Sequence, residues 1–112
     1  MKKIIFGLLI TLSSFSIAKA SEITSAFDIA QIYVSNADNM YFRVYDGDAT
    51  ALCTGGEHWA YINESDSGAK MKMAALMTAS ATSKQVVLVT EPIDFYTNGH
   101  IYCHITEVVV KN

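Results

Sequence analysis

The stretch WAYINESDSGAKMKMAALMTASATSKQVVLVT, residues 59–90, decides the fold of this chain. It opens with a short apolar strand at 59–62 and continues through a polar cap at 63–67. An alanine- and methionine-rich helix follows at 69–81, and a β-branched strand at 85–90 closes the stretch. The rest of the chain reads as short strands and turns, so we expect it to be arranged around this unit.

Composition and end signals predict the helix. Residues 69–81 contain no glycine or proline and only one β-branched residue, Thr78. We expect Ser65 or Asp66 to cap the first turn, and Ser83 and Lys84 to end the helix. The apolar residues fall on one side (Ala69, Met73, Leu76, Met77 and Ala79) and on the other (Met71, Ala74, Ala75 and Ala81). A helix that is apolar nearly all round is usually covered on more than one side, which suggests a neighbouring subunit as the second cover.

The first twenty residues have the pattern of a secretory signal peptide. Lys2 and Lys3 precede an apolar run at 4–12, and Ala18-Lys19-Ala20 forms a small-x-small cleavage site. The alternative is a retained membrane anchor, but the uninterrupted apolar run is shorter than the roughly 20 residues that span a bilayer. We therefore expect cleavage after Ala20 and a secreted or periplasmic protein.

Removal of this segment leaves an acidic domain. Residues 21–112 carry five basic and eleven acidic residues, and hence a formal charge of −6. This charge argues against nucleic acid and anionic membranes as partners, because both require basic patches. A small acidic sugar stays compatible with it, because exposed charges beyond about 8 Å are largely screened at physiological salt.

Two cysteines, Cys53 and Cys103, lie in this predicted exported domain. A disulfide is the expected state of such a pair, and a catalytic or metal-binding thiol is the alternative. Closing a loop of about 50 residues would contribute on the order of 4 kcal/mol in the chain-entropy model. The disulfide would then be a large share of the stability of a single small domain.

The remaining strands follow from alternation and turn signals. We expect strands at 27–34, 40–45 and 50–53 before the helix, and at 85–90 and 100–110 after it. In the second strand Met40, Phe42 and Val44 point one way, and Tyr41, Arg43 and Tyr45 the other. The last strand changes parity between Ile105 and Val108, which predicts a bulge near Thr106 or Glu107.

Three strands, a helix and two more strands predict a mainly β domain with one helix, formed by residues 21–112: a β-β-β-α-β order that continues into a fifth strand. This is the order of a five-stranded Greek-key barrel of the OB type. Such a fold hosts many functions, so the function must be argued from the residues of a site.

Enzyme and metal chemistry find no support in the sequence. The hydrolase, metalloprotease and phosphate-loop motifs are missing from it. His100 and His104 would lie about 13 Å apart on one strand, too far to bind one metal, and His58 could join one of them only if the tertiary fold happened to bring them together. Asp46, Asp48 and Glu57 could suggest calcium, but turn solvation explains the two aspartates. We therefore predict no catalytic residues, no metal site and no cofactor.

Binding is the better supported class. The outward residues Tyr41, Arg43 and Tyr45 offer two rings and a planar cation, which suit stacking on a sugar or packing against another subunit. The alternative is a cross-strand aromatic cluster on a solvated sheet. Trp59, just before the helix, is interpreted as a core residue.

Several segments resemble the binding subunits of subtilase-type and typhoid-type AB5 toxins. They are the run Ile29-Ala30-Gln31-Ile32-Tyr33, the turn at 36–39 with Tyr41-Phe42, a cysteine strand, and the helix end Thr82-Ser83-Lys84-Gln85-Val86. The chain is also similar to small secreted bacterial proteins with Trp-x-Tyr-Ile-Asn before an alanine-rich helix, here 59–63, and a late Tyr-Cys-His-Ile, here 102–105.

The resemblance implies an OB-type barrel, a homopentamer that carries a toxin A subunit, and recognition of sialylated cell-surface glycans. By alignment, Ser25 falls where those subunits carry a serine that holds the sugar carboxylate. Thr90 stands where they carry an aromatic residue, and Arg43 where they carry a second-strand cysteine. We therefore expect a glycan-binding, toxin-delivery type of subunit. The alternative is a monomeric exported protein that binds another protein or an envelope component.

Overall fold

A computed structural model describes residues 20–112 and shows six strands in one sheet with a single helix among those residues. The predicted signal peptide lies, apart from Ala20, outside the described residues. The elements are β1 (Glu22–Ile23), β2 (Ile29–Val34), β3 (Phe42–Asp46), β4 (Trp59–Ile62), α1 (Ala69–Ala81), β5 (Val86–Ile93) and β6 (Tyr102–Val110). The prediction of a mainly β domain with one helix is confirmed.

The sheet has the strand order β1-β5-β6-β4-β3-β2. All neighbouring strands are antiparallel except β4 and β6, which are parallel. The end strands β1 and β2 are separated only by residues 24–28, and within that segment Phe27 forms an antiparallel bridge with Val86 of β5. One continuous segment therefore pairs with β5 at its start and with β3 at its end, so the sheet curls back toward itself.

The core lies between the inner face of this sheet and α1. The predicted inward residues Met40, Phe42 and Val44 are all buried. Helix α1 packs against β6 and β2, and its buried residues are Ala69, Leu76 and Ala79. Further core residues come from β4, β5 and β6: Ala60, Ile62, Val86, Leu88, Cys103 and Ile105.

The bulge in β6 and the disulfide are confirmed. Glu107 pairs with Val89 and Ile105 pairs with Thr90, so Thr106 is the extra residue. This shift turns Val108 and Val110 back toward the core, as the change of parity requires. Cys53 and Cys103 form a disulfide with a Cα–Cα distance of 5.6 Å, so neither cysteine is a free thiol.

The predicted strand at 50–53 is wrong, and β1 was missed. Residues 50–53 are irregular and lead into a turn at 54–55; the Leu52 amide donates to Glu57 O (2.9 Å) and the Gly56 amide donates to Cys53 O (3.0 Å). These local bonds satisfy the backbone without a strand partner. The first strand is also shorter than predicted, since β2 begins at Ile29.

The start of α1 differs from the prediction as well. Gly68 occupies the N-cap position with φ 68°, and no side chain caps the helix. The Asp66 carboxylate is engaged elsewhere, because it accepts a hydrogen bond from the Asn63 amide (2.9 Å) and contacts His104 (2.7 Å). The bounds of the helix, 69–81, are as predicted.

Only one side of α1 is covered by the rest of the described chain. Met77, which the pattern places on the same side as Leu76, is 49% exposed, and Met71 is 77% exposed. Within residues 20–112 no helix has the length and apolar character needed to cross a membrane.

Candidate binding face and cleft

The outer face of the sheet carries a row of polar and aromatic side chains. Register places Tyr33, Arg43, Tyr61, His104 and Glu91 opposite one another on β2, β3, β4, β6 and β5. Successive residues of a strand point to opposite faces, so this row lies opposite the core residues of the same strands. The row brings a cation, an imidazole and a carboxylate to one surface.

Arg43 lies at one end of this row between two aromatic rings. Its guanidinium carbon is 5.0 Å from the Tyr33 ring centre and 4.6 Å from the Trp59 ring centre. Its Nε donates to Met40 O (3.1 Å). Within residues 20–112, each carboxylate that lies within ion-pair distance of a basic side chain contacts a histidine ring, so Arg43 has no carboxylate partner there. Cation–π contacts of this kind hold a guanidinium in place, and within residues 20–112 Nε is the one side-chain nitrogen of Arg43 that donates a hydrogen bond.

The rings around Arg43 continue into a larger aromatic surface. Trp59 lies between Tyr45 (6.0 Å between ring centres) and Tyr102 (5.3 Å), and Tyr102 also contacts Tyr96 (6.0 Å) and His100 (4.6 Å). We call this surface the aromatic face; its members are Tyr33, Arg43, Tyr45, His58, Trp59, Tyr96, His100 and Tyr102. Offset or tilted ring contacts at these separations are favourable and fix the rings relative to one another.

A loop between β5 and β6 supplies one edge of the aromatic face. The Asp94 carboxylate accepts hydrogen bonds from the amides of Asn98 and Gly99, each 3.0 Å long. Gly99 has φ 87°, a conformation that residues with a side chain rarely adopt. The Asn98-Gly99 pair thus closes this loop and places Tyr96 and His100 beside Tyr102.

The other part of the row is less exposed than the aromatic face: Tyr61 is fully buried, and His104 and Glu91 are half-buried. The His104 ring lies against Tyr61 (5.1 Å between centres), and its two nitrogens contact Asp66 (2.7 Å) and Glu91 (3.4 Å). Burial raises the pKa of the Tyr61 hydroxyl well above its usual range, and the carboxylates of Asp66 and Glu91 raise it further. With both of its nitrogens directed at carboxylates, His104 ties the segment before α1 to β5 and β6.

The predicted stripe of Tyr41, Arg43 and Tyr45 is divided in the structure. Arg43 and Tyr45 lie on the aromatic face, whereas the Tyr41 hydroxyl donates to Met73 Sδ (3.0 Å) and its ring packs toward α1. The interpretation of Trp59 as a core residue is wrong, because it is half-buried on the aromatic face. Tyr61, two residues later, is the aromatic residue of β4 that is fully buried.

Tyr33, Trp59 and Tyr102 belong to the aromatic face but were not predicted as binding residues. An aromatic residue recurs in several strands at positions that point outward, and this recurrence could have predicted the site. It could be recognised only with the register that pairs Tyr45 with Trp59. That register was hidden because the turns at 47–58 were interpreted as containing a strand.

The other predicted binding residues lie away from the aromatic face. Ser25 is exposed and lines a separate cleft of about 470 Å³. Thr90 is fully buried, and its hydroxyl donates to Leu52 O (2.8 Å), so it has no surface to offer a ligand. Three carboxylates line the cleft around Ser25, those of Glu22, Asp46 and Asp48. They oppose the binding of a sugar carboxylate at Ser25 by like-charge repulsion.

The contact of His100 with Glu57 links two loops at the surface and does not form part of a metal site among the described residues. His100 Nε2 lies 2.8 Å from Glu57 Oε2 on the surface, beside Tyr102. The described residues contain no group of three or more His, Cys, Asp or Glu side chains placed to hold a metal ion. What the surface does offer, therefore, is a set of aromatic planes around one guanidinium group.

Comparison of the chain with protein-family models, with curated proteins and with solved structures finds no match.

Proposed function

We propose that this protein is a secreted, non-enzymatic binding subunit that recognises glycans bearing a carboxylate, of which sialylated glycans are the type, through its aromatic face. The observation that carries the proposal is Arg43, a guanidinium held between Tyr33 and Trp59 with no carboxylate partner among residues 20–112. The resemblance to the binding subunits of AB5 toxins points to the same ligand class.

The chemistry of the aromatic face suits such a ligand. The apolar face of a sugar ring packs on aromatic rings, and Trp59 and Tyr102 present adjacent rings. A guanidinium group binds a carboxylate through two parallel hydrogen bonds, which a lysine ammonium cannot do. A carboxylate at Arg43 would therefore be oriented while the sugar ring stacks beside it.

For the fold we propose the five-stranded OB-type barrel. Support comes from the segment of β1 and β2, which pairs with both β5 and β3, and from the parallel pair β4 and β6. In this assignment β1 and β2 together form the first barrel strand. Closure of this kind removes the exposed edges that valine-rich strands would otherwise present.

We also propose that the subunits self-associate as a homopentamer that carries a toxin A subunit. The side of α1 that the rest of the described chain leaves uncovered carries Met71 and Met77. Exposed methionines on one helix are favourable contacts for an apolar partner surface. Solution mass tests this part of the proposal separately from glycan binding.

The test of glycan recognition is an array of sialylated glycans and their desialylated counterparts, probed with the oxidised protein. We expect binding only to the sialylated set. Arg43→Gln should weaken it by about tenfold or more, because a charge-assisted hydrogen bond is lost. Arg43→Lys should bind sialylated glycans little better than Arg43→Gln does, because lysine lacks the planar guanidinium group. Lys70→Gln removes one positive charge from the exposed surface of α1 and serves as the matched control.

A second test addresses the ring contacts. Trp59→Ala should reduce binding to the sialylated set, and Trp59→Phe should retain most of it, because a ring is still present. Equal binding of sialylated and desialylated glycans, unaffected by Arg43→Gln, would contradict the proposed role of Arg43.

The aromatic face also favours a second candidate, a monomeric exported protein that binds another protein or an envelope component. Tyrosine, tryptophan and arginine are the residue types most enriched at protein interfaces, and Tyr33, Trp59 and Arg43 meet here. Absence of binding to every glycan on the array, together with a monomeric mass, would favour this candidate.

A further inference from the structure

A second feature of the molecule, which shares no residue with the aromatic face, is the cleft of about 470 Å³ between the 22–27 segment and the 46–55 segment. Its floor includes the buried residues Phe27, Leu52 and Cys53. Its polar wall includes Ser25, Asp46, Asp48 and Thr50. The cleft is therefore apolar at its base and rich in oxygen atoms at its rim.

Asp46 is a charged residue at a position of β3 where the fold calls for an apolar side chain. It follows Phe42 and Val44 at the inward parity of β3, and only 6% of it is exposed. One carboxylate oxygen, Oδ1, accepts a hydrogen bond from the Asp48 amide (2.8 Å). The other oxygen, Oδ2, receives no hydrogen bond from residues 20–112. A buried carboxylate oxygen without a donor is costly, and it marks a place where a partner is expected.

The charged side chains that line the cleft are all negative. Its carboxylates come from Glu22, Asp46 and Asp48, and no lysine, arginine or histidine lines it. Glu22 Oε1 accepts hydrogen bonds from the Thr54 amide (2.9 Å) and hydroxyl (3.0 Å), so this carboxylate offers only Oε2 as a further acceptor. Asp46 and Asp48, with the hydroxyls of Ser25 and Thr50, remain as acceptors.

We propose that this cleft binds an organic cation, a primary ammonium group at the end of an alkyl chain. The ammonium donates three hydrogen bonds, which Asp46 Oδ2, Asp48 and the nearby hydroxyls can accept. The alkyl chain packs on the apolar floor, as lysine stems do on protein surfaces. A bare metal ion is a poorer occupant, because the described residues offer no group of three or more ligands suited to one.

Two sources can supply this chemistry, a free diamine and a lysine side chain of a protein partner. The experiment uses oxidised, isotope-labelled protein expressed from the complete coding sequence, with the amide signals of Ser25, Asp48 and Thr50 as the readout. It is titrated with 1,4-diaminobutane, with lysine blocked at both termini, and with norleucine blocked in the same way as the uncharged control.

We expect saturable shifts at these three amides with the ammonium ligands and none with blocked norleucine. The tighter of the two ammonium ligands identifies the source. Asp46→Asn and Asp48→Asn should each weaken binding by about tenfold or more, because each removes a charged hydrogen bond. Asp48 is exposed, so its variant retains the fold if Asp46→Asn does not. Glu107→Gln, an exposed change on β6 outside the cleft, is the matched control and should leave the affinity unchanged.

Absence of shifts, or shifts of equal size with blocked norleucine, would overturn the proposal and leave a cleft that holds water only. Equal weakening by Glu107→Gln would also overturn it, because the attraction would then come from overall charge. Glycan binding at the aromatic face does not enter these outcomes, so the two proposals fail or succeed independently.

Discussion

At the scale of single residues, Gly56 shows how closely the disulfide loop is packed. A Cβ atom built on Gly56 would overlap the sulfur atoms of both Cys53 and Cys103. Its backbone φ is not positive, so the requirement for glycine comes from space alone. The sequence shows a Gly55-Gly56 pair but not this contact, because it depends on where Cys103 of β6 arrives.

Gly56→Ala is therefore expected to lower the free energy of unfolding by about 1–3 kcal/mol through overpacking, and to slow disulfide formation. Gly47→Ala is the matched control, because its added Cβ would lie 3.6 Å from Ala30 Cβ, an ordinary contact. Chemical denaturation and a count of free thiols measure the two effects. Equal stability of the two variants would show that the disulfide region tolerates the extra atom.

Some residues of the binding site could be predicted from the sequence and others could not. Arg43 and Tyr45 were identified from the alternation of the second strand, and both lie on the aromatic face. Thr90 was predicted as a binding residue only from the resemblance to toxin subunits, and in the structure its hydroxyl donates a hydrogen bond to Leu52 O. Alternation within one strand could be interpreted reliably, whereas the neighbours across strands required a register that the sequence does not state.

At the scale of elements, the helix and the last strand followed from local patterns. The bounds of α1 and the bulge at Thr106 were predicted because helix composition and strand parity are local properties. The helix start was missed because Asp66 makes a tertiary contact with His104 in place of a cap. The irregular path of residues 50–53 was missed because the hydrogen bonds of Leu52 to Glu57 and Thr90 are set by the fold.

Tyr61 of β4 makes the free energy of unfolding depend on pH. Because the pKa of Tyr61 is raised in the folded protein above its ordinary value of 10.0, the unfolded chain loses this proton first as the pH rises. The free energy of unfolding should therefore be unaffected by Tyr61 below pH 10 and fall above it, by up to about 1.4 kcal/mol per pH unit.

Denaturation at pH 7 and at pH 10 to 11 measures this effect. Tyr61→Phe should remove the part of the pH dependence that Tyr61 causes, and Tyr96→Phe, an exposed ring, should leave it in place. An unchanged slope in Tyr61→Phe would mean that burial of this hydroxyl does not govern alkaline stability.

At the scale of the whole molecule, the uncovered side of α1 predicts assembly. If five copies associate through Met71 and Met77, light scattering of the oxidised protein should give five times the mass of one processed chain. Met71→Glu with Met77→Lys keeps the net charge and should lower that mass, because charges are costly at an apolar interface. Lys70→Glu with Glu107→Lys is the matched surface control. A monomeric wild-type protein would contradict the ring and favour a heterologous partner.

An NMR titration of the oxidised protein with a short sialylated glycan, followed residue by residue, tests whether the aromatic face recognises glycans. The structure predicts shifts that cluster at Tyr33, Arg43, Tyr45, Trp59 and Tyr102, with Ser25 and its neighbours unaffected. Shifts centred on Ser25 would place the sugar in the acidic cleft and contradict the role of Arg43. No shifts at a concentration of glycan well above the range of weak lectin binding would contradict glycan recognition itself.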